Sequence, residues 1–257
     1  MWTIGFFCLM GAVLALLFGV LFGRTQRSRE GSTSPQALAF AGATVLGFFA
    51  LFTGFSVAGA WQQLNSARQQ TYAESRALTE VYWGAKGLPD SDRAVVRLKV
   101  REYTQDVVGD EWAQMEKGHG STAAWQALDQ VRVAVDEARV GTSAEVTVKN
   151  DVMRNLTDAY ARRNTRLADV RAVVPEVVLG GLFVGAVFVV ATPPVIGLTA
   201  NARNLVLMGF LGACVAFGVS LVVELSGPYT GLVRLQPTAF ELAQVRYDQI
   251  DTGVSSS

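Results

Sequence analysis

Two charged residues stand where the surrounding pattern calls for apolar ones. At helical spacing, Ala67, Thr71, Glu74, Leu78, Val81 and Ala85 share one face, and Glu74 is the only charge on it. Further along, Met153, Leu156, Tyr160, Leu167 and Val170 share a face, and Arg163 falls in the same stripe. A lone charge in an apolar setting costs several kcal/mol unless it is paired. Pairing of Glu74 with Arg163 as a structural ion pair is therefore one expectation. The other is that both side chains reach the edge of the fold and stay solvated.

The rest of the inventory offers little chemistry. His119 sits in a Gly-His-Gly turn and reads as a solvated loop residue. Cys8 and Cys214 both lie inside apolar runs, where a disulfide is not expected. Asp90 and Asp92 follow Leu88-Pro89 at a helix start and read as caps, not as metal ligands. Asn155-Leu156-Thr157 has the form of a glycosylation sequon but falls mid-helix. There is no GxGxxG after a strand, no P-loop, no GxSxG and no HExxH. These residues predict no enzyme, no metal and no cofactor, and a formal net charge of zero gives no reason to expect a nucleic-acid partner.

The elements that would position these residues are helical and partly membranous. The chain has 257 residues, half of them hydrophobic and only 17% charged, with a mean hydropathy of +0.28. The charges are unevenly placed, which fits a membrane protein with a polar segment. Residues 1–61 read as a transmembrane hairpin, with helices over about 2–23 and 38–61. Residues 62–173 read as a helical domain outside the membrane, broken at Leu88-Pro89, at Gly118–Gly120 and at Gly141–Ser143. Residues 174–225 read as a second hairpin, opening at Pro175 and broken or kinked at Thr192-Pro193-Pro194. Residues 226–257 form a partly disordered tail with a Ser-rich end. The predicted fold class is thus all-α: four transmembrane helices plus a helical extramembrane domain. The pairs Gly19/Gly23 and Gly181/Gly185 have GxxxG spacing, and Gly42, Gly47, Gly54 and Gly59 line the second run, all places where close packing is expected.

The second run carries one further pattern. Phe48, Phe52 and Phe55 lie at i, i+4 and i+7 on an uncharged helix that continues without a breaker to Gly84. They either line a pore or face lipid and bundle neighbours, as membrane phenylalanines usually do. A ring of such side chains can gate by dewetting, and their positive edges suit a partly dehydrated anion.

The stretch from Gly54 to Trp112 resembles the bacterial bestrophin-like membrane protein family. The resemblance rests on Gly54-Phe55, Trp61, Ala67-Arg68, Glu74, Leu78, Leu88-Pro89, Arg93, Tyr103 and Glu111-Trp112. The Arg163–Leu167 stretch, Pro175 and the Ser226–Gly231 segment also fit the family pattern. More distantly, the chain is similar to true bestrophins, which are pentameric anion channels with four membrane helices per subunit and a cytosolic helical domain. That resemblance implies a homopentamer in the bacterial plasma membrane, passing small anions such as chloride, with its helical domain in the cytoplasm. By the same resemblance Phe48, Phe52 and Phe55 are the neck. The segment after the last apolar run lacks the dense acidic run of calcium-gated members, so no calcium clasp is expected. The competing reading is a non-conducting membrane scaffold that binds a protein partner through its helical domain.

Overall fold

The computed structural model describes residues 35–171, 174–195, 198, 201–231 and 233–253, together with Phe6, Leu9, Met10, Val13, Leu14, Leu17 and Val20. Those seven isolated positions are helical and exposed. The rest of the first apolar run, including Cys8, Gly19 and Gly23, lies outside the described residues, as do Arg24, Arg27 and Arg29. All described elements are helical: α1 (Pro35–Gly84), a 3-10 turn (Ala85–Gly87), α2 (Asp90–Asp106), a π-helical segment (Val107–Glu111), α3 (Trp112–Met115), α4 (Thr122–Asp136), α5 (Ser143–Arg171), α6 (Glu176–Val195), α7 (Ala202–Leu225) and α8 (Thr238–Thr252). The chain divides into two compact units, Met1–Gln62 with Val174–Ser226, and Gln63–Val173 with Gly227–Ser257.

Among the described residues three helices are long and apolar enough to cross a membrane: α1 in its first half, α6 and α7. The first unit is built on these. Its core is Phe49, Leu182, Val189, Val215 and Val222, with Phe52, Val57 and Leu211 packed around it. Gly185 makes this core possible, since a Cβ there would stand 3.0 Å from the Phe49 ring. Thus the Gly181/Gly185 pair receives phenylalanine rings. Of Gly42, Gly47, Gly54 and Gly59 on the apolar half of α1, only Gly42 meets a neighbour within 4 Å, at Thr192. Helix α6 carries Pro193 and Pro194 in its last turn and ends at Val195. Each proline removes a helical N–H, so the expected break falls just after them. Helix α7 starts at Ala202, three residues before the apolar run, because the Asn201 side chain accepts from the Asn204 N–H at 2.9 Å.

The second unit buries the stripes that helical spacing picks out. Ala67, Thr71, Glu74, Leu78 and Val81 of α1 and Ala85 of the 3-10 turn are all buried, as are Val96, Val100, Tyr103 and Val107. Ser121 caps α4 by accepting from the Ala124 N–H. At the start of α2, Pro89 holds the cap position without a side-chain bond. Asp90 instead pairs with Arg93, and Asp92 accepts from the Arg139 N–H at 3.0 Å. The segment after the last span does not stand apart as a tail up to Gly253: Tyr229, Leu235, Phe240 and Tyr247 are buried in this unit. Residues 254–257 lie outside the described residues.

Candidate functional site

The second unit is built around an ionic centre. Glu74 comes from the buried face of α1, and Tyr103 from that of α2. Glu111 ends the π segment, whose wider turn brings Val107, Glu111, Trp112 and Met115 all inward. Arg163 and Arg166 lie one turn apart on α5. All five side chains at the centre are buried, and Glu74, Glu111, Arg163 and Arg166 are each 0% exposed.

The bonds form a connected net. Arg166 forks onto Glu74, with Nε donating to Oε2 at 2.6 Å and Nη2 to Oε1 at 3.1 Å. Arg166 Nη2 also reaches Glu111 Oε2 at 3.4 Å, and its Nη1 points at the Met115 sulfur at 2.8 Å. Arg163 Nη1 donates to Glu111 Oε2 at 2.6 Å and to the Tyr103 hydroxyl at 3.0 Å. The Tyr103 hydroxyl donates in turn to Glu74 Oε1 at 2.5 Å. Aromatic rings close the net: Trp125 lies 4.5 Å from the Arg163 guanidinium, and Phe240 lies 5.3 Å from that of Arg166. Two carboxylates thus face two guanidiniums, and the centre is neutral overall.

The electrostatics follow from this geometry. Burial, then the charge of Glu74, pushes the Tyr103 phenol well above its ordinary value, so it remains a donor. Burial alone would depress Arg166, but the charges of Glu74 and Glu111 outweigh it and hold the guanidinium charged. A guanidinium is not a usable acid or base, and all but one carboxylate oxygen here accept hydrogen bonds. The arrangement is a fixed ionic tie between α1, the π segment and α5, with no nucleophile in it.

The expected partners are therefore distributed differently. Glu74 and Arg163 enter one cluster, joined through the Tyr103 hydroxyl, but Glu74 takes Arg166 and Arg163 takes Glu111. The physical reason is the line of burial on α5, which runs through Val152, Leu156, Ala159, Arg163 and Arg166. That line puts Arg166 inward beside Arg163, and the third-residue spacing between the two arginines is the sequence signal for it. Glu111, four residues after Val107, is the natural continuation of the α2 stripe.

A second, more exposed ionic group fastens α8. Tyr82 donates to Asp251 at 2.5 Å, and Arg97 and Arg101 each reach Asp251 at 2.8 Å. Arg101 also pairs with Asp248, and the Tyr82 and Tyr247 rings stack at 4.3 Å. Burial would raise the Asp251 carboxyl, but the bonds from Tyr82 and Arg101 and the nearby arginine charges hold it below its usual range.

In the first unit the three phenylalanines separate. Phe48 and Phe55 are 74% and 75% exposed. Phe52 is half-buried, with its ring near Gly181. Phe49, which the i, i+4, i+7 pattern passes over, is the buried ring of the set.

Comparison with known proteins follows the whole fold. A family model described as a bestrophin-like domain matches residues 5–240. A bacterial bestrophin homologue from Klebsiella pneumoniae, solved as a point mutant, superposes with a TM-score of 0.69 at 11% identity, covering 96% of this chain and 99% of that one. A second mutant of a homologue from the same organism gives a TM-score of 0.63 at 10% identity, covering 96% and 98%. A crystal structure described only as a membrane protein gives 0.67 at 11% identity, covering 95% and 98%. No curated protein matches the sequence.

Proposed function

This chain belongs to the bestrophin-like family, and we propose that it forms an oligomeric, pentameric channel for small anions such as chloride. In this reading the first apolar run completes a set of four spans. The helical domain lies on the cytoplasmic side of a bacterial plasma membrane. Phe48, Phe52 and Phe55 on α1 form the apolar neck, one copy from each subunit.

The observation that carries the reading is the exposure of Phe48 and Phe55 on an uncharged membrane helix whose neighbouring Phe49 is buried. The core of a single chain thus uses one ring and leaves two uncovered, available to a central axis. Phe52 supports them from behind, against Gly181. The test is chloride flux into liposomes carrying the purified protein, alongside single-channel recording. Current is expected, and alanine at Phe48, Phe52 or Phe55 is expected to change it. Absence of current for chloride and other small ions, across pH and voltage, would overturn the channel reading. It would leave the scaffold reading, in which the helical domain binds a protein partner.

A further inference from the structure

We propose that the second unit carries a binding pocket for the phosphate of an anionic lipid headgroup, centred on Arg68 and Arg234. The pocket has a volume of about 260 Å³ and is lined by Arg68, Thr71, Tyr72, Arg234, Gln236 and Thr238, with Leu235 at its side. That is just under the range of pockets for drug-sized ligands, about 300–1,000 Å³, and suits a headgroup better than a whole organic molecule.

The lining is cationic and rich in donors. It contains two guanidiniums and no carboxylate. Arg234 has a carboxylate outside the lining, Glu116, at 3.0 Å. Arg68 has no ion-pair partner among the described residues. The guanidinium fork matches two phosphate oxygens at once. Hydroxyls of Tyr72 and Thr238 and the amide of Gln236 add neutral donors around it. The Thr71 hydroxyl already donates to the Ala67 carbonyl at 2.9 Å, so it shapes the wall without adding a donor.

Position along the chain selects a lipid as the source of the phosphate. Arg68 lies on the same continuous helix as the first-half span, seven residues beyond Trp61. At 1.5 Å per residue that is about 10 Å past the tryptophan. Tryptophan marks the membrane–water boundary, and the headgroup layer extends roughly 5–8 Å beyond the hydrocarbon on each side, so the Arg68 backbone stands just outside that layer and its long side chain can reach back into it. Arg234 follows Leu225, the last residue of α7, by nine residues. Two cations from chain segments that have just left apolar spans therefore meet in one cavity, as expected of a site for anionic lipid. The proposal rests on the membrane reading of α1 and α7 and is independent of conduction.

The experiment is thermal stabilisation of the full-length protein in a neutral detergent, titrated with short-chain phosphatidylglycerol, with phosphatidylcholine and, separately, with inorganic phosphate. Arg68→Gln is the main variant, since Arg68 is exposed and its loss breaks no ion pair. Arg154→Gln, at an exposed arginine on α5, is the control. Phosphatidylglycerol is expected to raise the melting temperature of the wild type and the control at equal concentrations. Arg68→Gln is expected to need at least about tenfold more of it, as loss of one charge-assisted contact implies. Equal response in Arg68→Gln, or no preference for phosphatidylglycerol over phosphatidylcholine, would overturn the site. An equal response to inorganic phosphate alone would overturn the lipid assignment.

Discussion

Replacing Arg166 by methionine tests whether the ionic centre is held by charge balance. Methionine keeps most of the length of the arginine side chain and removes its charge. In the native centre Arg166 makes two bonds to Glu74, one longer bond to Glu111 and none to water, because it is fully buried. Without it, Glu74 keeps only the Tyr103 hydroxyl, and the centre passes from neutral to a net charge of −1. Removing one partner of a buried pair costs about 3–5 kcal/mol, mostly from the charge left behind. At about 2–4 °C per kcal/mol, the melting temperature should fall by about 6–20 °C. Adding Glu74→Gln restores neutrality and leaves the Arg163–Glu111 pair in place. The double variant should therefore recover much of the loss, since replacing a whole buried pair is often close to neutral. Arg166→Lys should lie in between, because a point charge cannot fork across both oxygens of Glu74. The assay is thermal melting of purified protein in detergent, followed by tryptophan fluorescence, to which Trp112 and Trp125 beside the two arginines contribute. If Arg166→Met melts within 2 °C of wild type, or the double variant melts no higher than the single one, the charge-balance argument fails.

Tyr103→Phe removes the hydroxyl between Glu74 and Arg163 and should cost about 1–3 kcal/mol, read in the same melting assay as a fall of several degrees. Asp169→Asn should stabilise the protein at neutral pH: burial raises this carboxyl in the fold, so its ionised form weakens the native state above the raised value. The gain should shrink as pH falls and the native Asp169 takes up a proton, which melting curves at stepped pH will show. Phe52→Ala should lower stability by about 1–2 kcal/mol, a fraction of the 3–5 kcal/mol of a fully buried phenylalanine, whereas Phe48→Ala should leave melting unchanged within 2 °C.

Helical period alone locates the inner faces of α1, α2 and α4, because Leu78, Val96, Val100, Leu128 and Val131 are apolar where they are buried. It turns α5 by about one residue. There the large apolar side chains are Met153, Tyr160 and Leu167, but the buried line is Val152, Leu156, Ala159, Arg163 and Arg166. Tyr160 stays half-buried because its hydroxyl bonds to Asp129 at 2.7 Å. Hydropathy points the wrong way when the innermost residues of a helix are two arginines. The π segment is illegible for a related reason: its extra residue per turn has no composition signal, yet it is what lets Glu111 and Trp112 both turn inward. Asp92 reads as a cap to its own helix but serves the Arg139 N–H, a partner 47 residues away that local spacing cannot reveal.

Helix geometry divides the three phenylalanines. At about 100° per residue, Phe55 falls about 20° to one side of Phe48, and Phe52 about 40° to the other. Shared spacing therefore spreads the three rings over about 60° of helix surface. Phe52 is on the side that meets Gly181, so its ring is half-buried, while Phe48 and Phe55 stay open together. Phe49, about 100° from Phe48 on the same side, is carried into the core against Gly185. A glycine pair on α6 thus decides which rings of α1 are packed and which are left free. A neck made from this helix would present Phe48 and Phe55, separated by about 10 Å along the axis. Phe52, between them along the axis, would add its open edge to the neck while the rest of its ring holds α1 against α6.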